Sequence, residues 1–321
     1  MSGQGIMVDH TQDELLWMHG LEEYFKVLNP DQSELFHTIK RAVLYGDVHA
    51  VRDLMVRELY RGDAELSDGM FVSLIMNKLL GDGEPVTSSR MLNYISHSFD
   101  DEFIKRLNEW STNWGAKANL DDHFSRGQMK SKFWLISELN KLNIEPTQIA
   151  LYGGWYATIA YFLFLNFDNV IKIRNIELDP KVVGISEAFN KDEVADNWRF
   201  KTGTANVNEL QYHNGGAFNL SMPQRNAPTV RDRIDPDLII NTSCEHMKDD
   251  WFYNVPEKFV DNPRLTPIIA LQTNDYFDNP QHTNCVHNID EALEKYKFKR
   301  VLYAGTLKTE LYNRFMIIGR R

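Results

Sequence analysis

The sequence predicts an α/β fold: a mostly parallel sheet of seven strands with an antiparallel last strand, preceded by an α-helical N-terminal domain. Three observations predict it. Apolar residues recur at spacings of three and four up to about residue 143, the period of amphipathic helices. From residue 148 short β-branched runs alternate with helical stretches, the pattern of a parallel sheet with helices on both faces. The last two strand candidates, KRVLYAG and RFMIIGRR, lie too close together for a crossover helix. They must therefore pair as a hairpin, which turns the final strand antiparallel.

The helical runs are TQDELLWMHGLEEYFKVL, SELFHTIKRAVLYGD, VHAVRDLMVREL, SDGMFVSLIMNKLL and DDEFIKRLNEW, several with Asp or Ser ahead of them as an N-cap. A boundary between residues 113 and 147 follows, with residues 1–123 assigned to the helical domain and 124–321 to the α/β domain. The strand candidates, in order, are QIALY, VIKIRNIEL, NWRFKTG, DLIINTS, TPIIALQT, KRVLYAG and RFMIIGRR. Between the third and fourth, residues 211–236 read as a long polar loop. Connections of that length are usually functional, and Arg225, Arg231 and Arg233 either greet an anionic substrate or stay solvated.

Composition narrows the function classes. The net charge of -10 disfavours a broad nucleic-acid-binding face, although a local basic patch stays compatible with it. Two cysteines exclude a disulfide framework and fit a reducing compartment. The first residues, MSGQGIMVDHTQDELL, lack the layout of a signal peptide. The longest apolar run, residues 157–165, falls well short of the roughly 20 residues that a membrane helix needs. A cytoplasmic protein is expected.

Chemistry concentrates where strands end. Residues 148–180 read as strand, glycine turn, helix and second strand, a βαβ unit with Gly153 and Gly154 at its first junction. Such glycines either let the backbone approach a ligand or simply make a tight turn. Trp155 and Tyr156 would crowd a pyrophosphate, so a ligand without phosphate, such as S-adenosylmethionine, suits the turn better than a dinucleotide. Glu177, closing the second strand, is placed to accept hydrogen bonds from ribose hydroxyls, while Asp179 ahead of Pro180 reads as a helix cap.

Two polar clusters follow later strands. Asn241, Thr242, Ser243, Cys244, Glu245 and His246 come directly after DLII; Glu245 or His246 is a candidate general base, and Cys244 either a nucleophile or an inert buried thiol. Gln272, Thr273, Asn274, Asp275 and Tyr276, then His282, Cys285 and His287, follow the next strand. Cys244, His246, His282, Cys285 and His287 could in principle hold zinc, but their spacing matches no standard pair, so polar-substrate binding is expected and no metal.

On these residues the C-terminal part resembles the class I S-adenosylmethionine-dependent methyltransferases, a Rossmann-like family. ALYGGWYATIA stands at the place of its glycine-rich motif, NIELDP at its acidic motif and DLIINTSCEHM at its fourth motif. FSRGQMKSKFWLISEL, GGWYATIA, INTSCEH, LQTNDYF and YNRFMIIGR together look like methyltransferase-like proteins encoded by tailed bacteriophages, whose location would be the host cytoplasm. The resemblance covers residues 124–321. The Gly-x-Gly spacing and any Asn-Pro-Pro-Tyr signature of base methylation are missing.

The resemblance implies a role for individual residues. Gly153, Gly154 and Trp155 would line the methionine and ribose of S-adenosylmethionine, and Glu177 would hold the ribose. Ala205 and Asn206 would lie near the adenine, and Gln128 and Lys132 would close over the cofactor. Asn241, Glu245 and His246 would lie beside the methyl group. Independently of the resemblance, Asn274, Asp275, Tyr276 and His282 are the residues expected to hydrogen-bond a polar substrate. The acceptor, small or macromolecular, is left open. Two alternatives stand beside methyl transfer. One is transfer of the aminocarboxypropyl arm, as in nicotianamine synthase-like enzymes; the other is a binding scaffold that has lost catalysis.

Overall fold

The computed structural model describes residues 126–213, 216–224, 227–256, 266–309 and 311–321, with isolated positions at 106, 109, 110, 113, 114 and 123. The chain divides into two compact units, Met1–Arg126 and Gly127–Arg321. The helical runs expected before residue 111 lie outside the described residues, apart from those isolated positions, which are helical.

In the second unit α1 (Arg126–Lys141) leads into β1 (Gln148–Tyr152), α2 (Thr158–Asn166), β2 (Lys172–Glu177), α3 (Lys181–Phe189), α4 (Lys191–Ala195) and β3 (Phe200–Thr204). A hairpin of β4 (Phe218–Gln224) and β5 (Ala227–Ile234) follows. Then come β6 (Leu238–Asn241), α5 (Asp250–Asn254), β7 (Ile268–Asn274), α6 (Ile289–Lys295), β8 (Arg300–Lys308) and β9 (Asn313–Arg320).

Seven strands form one sheet in the order β3-β2-β1-β6-β7-β9-β8. β1, β2, β3, β6 and β7 pair in parallel, while β9 runs antiparallel to both β7 and β8. The expected mostly parallel sheet with an antiparallel final strand is therefore what the chain forms. Strand order reverses between β1 and β6, and in open α/β sheets that switch point opens a crevice beyond the carboxyl ends of the strands.

The central strands β1, β6 and β7 are largely apolar and buried because both faces of the sheet are covered there, whereas edge strand β8 is not buried. In β1 every residue after Gln148 is buried, and all of β6 is buried. Tyr152, Ile176, Ile239, Trp251, Phe252, Ile269 and Phe315 belong to one core cluster. On α1, Phe133 meets Phe162 of α2 edge to face at 5.1 Å. Each such fully buried large side chain contributes about 1.5–3 kcal/mol.

Residues 211–236 correct the sequence expectation: they hold a two-stranded antiparallel sheet, β4 with β5, in place of a polar loop. The cause is period-two patterning. Phe218, Leu220 and Met222 alternate with Asn219 and Ser221, so one face of β4 is apolar and joins Ile234 in the core. On the other strand Asp232 pairs with the buried Arg174 of β2, whose Nη1 also donates to the Trp198 carbonyl at 2.8 Å. Arg231 and Arg233 are exposed, and Arg225 lies outside the described residues.

Candidate active site

The glycine turn is a strained segment held by side chains. Gly153, Trp155 and Ala157 all have positive φ, at 61, 51 and 51°. Trp155 and Ala157 carry a Cβ, and that conformation costs each about 1–2 kcal/mol. What holds them is visible. Asn175 Nδ2 donates to the Trp155 carbonyl at 3.1 Å, Asn190 Nδ2 donates to the Ala157 carbonyl at 3.3 Å, and the Glu177 carboxylate accepts the Trp155 N–H. Gly153 N–H donates to the Ile176 carbonyl at 3.0 Å, tying the turn to β2. Gly154 is required by the same neighbour that holds Trp155, because a Cβ there would lie 2.4 Å from Asn175 Oδ1. The Trp155 and Tyr156 rings stack at 4.4 Å.

Glu177 ends β2 directly beside this turn. Burial pushes its carboxyl up to about 7, against the hydrogen bonds from the N–H groups of Trp155 and Leu178, which favour the ionised form. Ala205 lies next to it, donating its N–H to the Glu177 carbonyl at 2.9 Å. Asn206 caps the short helical turn Val207–Glu209: its Oδ1 accepts from the Asn208 N–H at 3.1 Å. Asp179 accepts the Lys181 N–H at 2.9 Å ahead of α3, the capping geometry read from the sequence.

Across the switch point, the β6 loop leans on the glycine turn: Ser243 Oγ donates to the Gly153 carbonyl at 3.1 Å. Asn241 is buried, accepts the Ser243 N–H at 3.0 Å and lies 3.1 Å from Met247 Sδ. Glu245 is 2% exposed and pairs with the equally buried Arg314 at 3.2 Å, while Asn274 Nδ2 donates to the same carboxylate oxygen at 2.7 Å. The Arg314 guanidinium also binds the Thr242 carbonyl at 2.9 Å. Glu245 thus fixes the loop from within, a different task from that of a free general base.

His246 is exposed and meets His282 edge to face at 4.6 Å. Burial holds the His282 imidazole below its ordinary range and so keeps it neutral. Tyr276 packs against His282 and stacks on Tyr312. Asp275 clamps Asn313 instead, accepting its backbone and side-chain N–H groups at 2.7 Å each.

The other candidates scatter. Cys244 is buried, and burial pushes its thiol well above the ordinary range; Cys285 is pushed up to about 11 and donates to Asn274 Oδ1 at 3.3 Å. Neither is a ready nucleophile at neutral pH. His287 stacks on Phe277 away from the other histidines' pairing. On α1, Lys132 is buried and lies 3.5 Å from Gln128 Oε1.

Sequence reading missed Asn175 and Arg314, and it placed Ser243 in the polar cluster without its bond to the glycine turn. Asn175 and Arg314 are polar residues at buried positions of their strands, and the sequence does not say which strand positions are buried.

The site's ingredients fit an adenosine-type ligand without phosphate. The Glu177 carboxylate ends β2 beside the glycine turn and accepts its Trp155 N–H, as a ribose-binding carboxylate would need to be placed, and two stacked aromatic rings adjoin it. The chain matches no protein-family model and no curated protein. Among solved structures it is similar to magnesium protoporphyrin IX methyltransferase from Synechocystis PCC 6803 with bound SAH, at 12% identity and a TM-score of 0.42, over 69% of this chain and 100% of that one. It is similar to an SAH-bound methyltransferase of Podospora anserina, at 16% identity and a TM-score of 0.40, over 67% and 88% of the two chains. A third is geranyl diphosphate methyltransferase with GPP and sinefungin, at 11% identity and a TM-score of 0.41, over 60% and 78%. At these values they establish neither activity nor substrate for this chain. Among the described residues no helix is long and apolar enough to cross a membrane.

Proposed function

We propose that the chain binds S-adenosylmethionine and acts as a methyltransferase. The observation that carries this reading is Glu177: a partly buried carboxylate at the end of β2, held by the Trp155 N–H of the glycine turn, beside the β1–β6 switch point. When bound, the cofactor supplies an electrophilic methyl group whose bond to sulfur breaks as an acceptor atom forms its own bond to that carbon. The chain's work is to position, since holding a nucleophile in line supplies most of the acceleration.

In this reading Glu177 holds the ribose hydroxyls and Gly153, Gly154 and Trp155 give the backbone close approach. Ala205 and Asn206 border the adenine, and Gln128 and Lys132 border the cofactor from α1. Asn241 and Ser243 fix the β6 loop against the glycine turn. Glu245 positions that loop through Arg314 and Asn274, leaving the exposed His246 and the neutral His282 to take a proton from an acceptor. Tyr276 borders the acceptor; Asn274 and Asp275 act through the residues they hold.

The sequence resemblance to phage-encoded methyltransferase-like proteins adds a host-cell cytoplasm as the place of action, in keeping with two free thiols. The test is calorimetric titration of S-adenosylmethionine and S-adenosylhomocysteine into wild type and Glu177→Ala. Binding that the substitution abolishes is expected; no binding of either ligand to wild type would overturn the reading. Product analysis then separates methyl transfer, which releases S-adenosylhomocysteine, from aminocarboxypropyl transfer, which releases methylthioadenosine.

A further inference from the structure

The loops after β6 and β7 bring together a donor set that hydrogen bonding does not exhaust. Glu245, His246 and His282 each offer one ligand atom, and the three atoms lie within 4.8 Å of one another. Of the Glu245 carboxylate, Oε1 takes the hydrogen bonds from Asn274 and Arg314, while Oε2 is buried without a partner. A buried acceptor left unsatisfied costs about 1–3 kcal/mol, and more when charged. Such an atom in a native fold asks for an explanation.

The two histidines are prepared alike. Nδ1 of His246 lies 3.2 Å from the Gln281 carbonyl oxygen, and Nδ1 of His282 lies 3.1 Å from the Tyr276 carbonyl oxygen. A carbonyl only accepts, so in its neutral form each ring would carry its proton on Nδ1 and keep a bare lone pair on Nε2. Histidines that bind metals are oriented in this way, with the second ring N–H donated to a carbonyl or carboxylate.

We propose that Glu245, His246 and His282 form a binding site for a divalent transition-metal ion such as zinc. Two imidazoles and one carboxylate suit that class of ion, whereas magnesium and calcium prefer oxygen throughout. Three protein ligands leave at least one position for water or a substrate oxygen. Ligand atoms around one zinc ion stand about 3.4 Å apart at bonds of about 2.1 Å, so the three atoms draw closer together when an ion binds. Of the five residues considered for zinc from the sequence, only His246 and His282 belong to the site. Cys244, Cys285 and His287 do not, and Glu245 takes their place.

The ion site does not depend on the methyl-transfer reading. Joined to it, the ion takes up the imidazole lone pairs and replaces the two histidines as the group that helps release an acceptor oxygen's proton, on the side that the resemblance assigns to the methyl acceptor.

The experiment is titration of tag-free, chelator-stripped full-length protein with Co²⁺, followed by visible absorption, with Zn²⁺ displacement by calorimetry. One ion per chain is expected in wild type, with affinity lowered at least tenfold in His246→Ala and in His282→Ala at unchanged thermal midpoint. Absence of stoichiometric binding to wild type, or wild-type affinity in both variants, would overturn the proposal. Titration of S-adenosylhomocysteine into the same samples separates the two ideas. Cofactor binding without ion binding sinks the ion site alone, and ion binding without cofactor binding sinks the methyl-transfer reading alone.

Discussion

Replacing Glu177 by glutamine removes a charge exactly where the fold makes that charge costly, so two effects of opposite sign should appear together. Burial has raised the carboxyl from 4.5 to about 7. At 1.36 kcal/mol per unit the shift corresponds to an upper bound of about 3 kcal/mol. A carboxyl raised in the fold contributes stability that is fully present below its unfolded pKa and lost as pH rises through about 7. Glu177→Gln should therefore raise the thermal midpoint at about pH 8 and leave it nearly unchanged at about pH 4. Ribose binding has the reverse dependence, because the ionised form is the better acceptor. With affinity scaled by the ionised fraction, wild type should lose roughly tenfold in S-adenosylhomocysteine affinity between about pH 8 and about pH 6. The glutamine variant should bind roughly 10–100-fold more weakly at about pH 8, since a hydrogen bond to a charged group contributes about 1.5–3 kcal/mol. Calorimetry on both proteins across that range is the assay, and the ligand's own titration cancels in the ratio. A wild-type to variant ratio that does not change with pH would refute the assignment of the ribose to Glu177.

Four further substitutions probe the supports of the site and of the hairpin. Gly154→Ala drives a Cβ into Asn175 and should lower stability by about 1–3 kcal/mol in a denaturant melt. Asn175→Ala in the same chain should recover part of that loss, since the two positions touch. Arg314→Met strands the buried Glu245 carboxylate and should cost about 3–5 kcal/mol by chemical denaturation. Asp232→Asn weakens the tie between the β4–β5 hairpin and Arg174 and should cost about 1–3 kcal/mol, read as faster proteolysis within residues 217–234. In native protein both thiols should react slowly with iodoacetamide at about pH 8, Cys244 because it is buried and Cys285 because its thiol is pushed up to about 11. Rapid labelling of Cys244 would show that the β6 loop opens.

The sheet was legible because its cause is local and repetitive. Runs such as QIALY and DLII are apolar throughout, and only a strand covered on both faces rewards that pattern. The antiparallel β9 followed from counting residues, since no crossover helix fits between residues 308 and 313. The hairpin of β4 and β5 was misread as a loop because its charged residues outweighed the three alternating apolar ones. What settles it is the apolar surface that the core offers to Phe218, Leu220 and Met222, a fact of packing rather than of pattern.

By itself the sequence determined that carboxylates and glycines end the strands of a doubly wound sheet, because chain order and period are local properties. Only the tertiary structure decided what each polar group does. It pairs Glu245 with Arg314, 69 residues away, and so gives that carboxylate a structural task. It sets Asn175 against Gly154 and brings His282 to His246. Hydrogen bonds and ion pairs act over a few ångströms of space, and sequence separation does not report that distance.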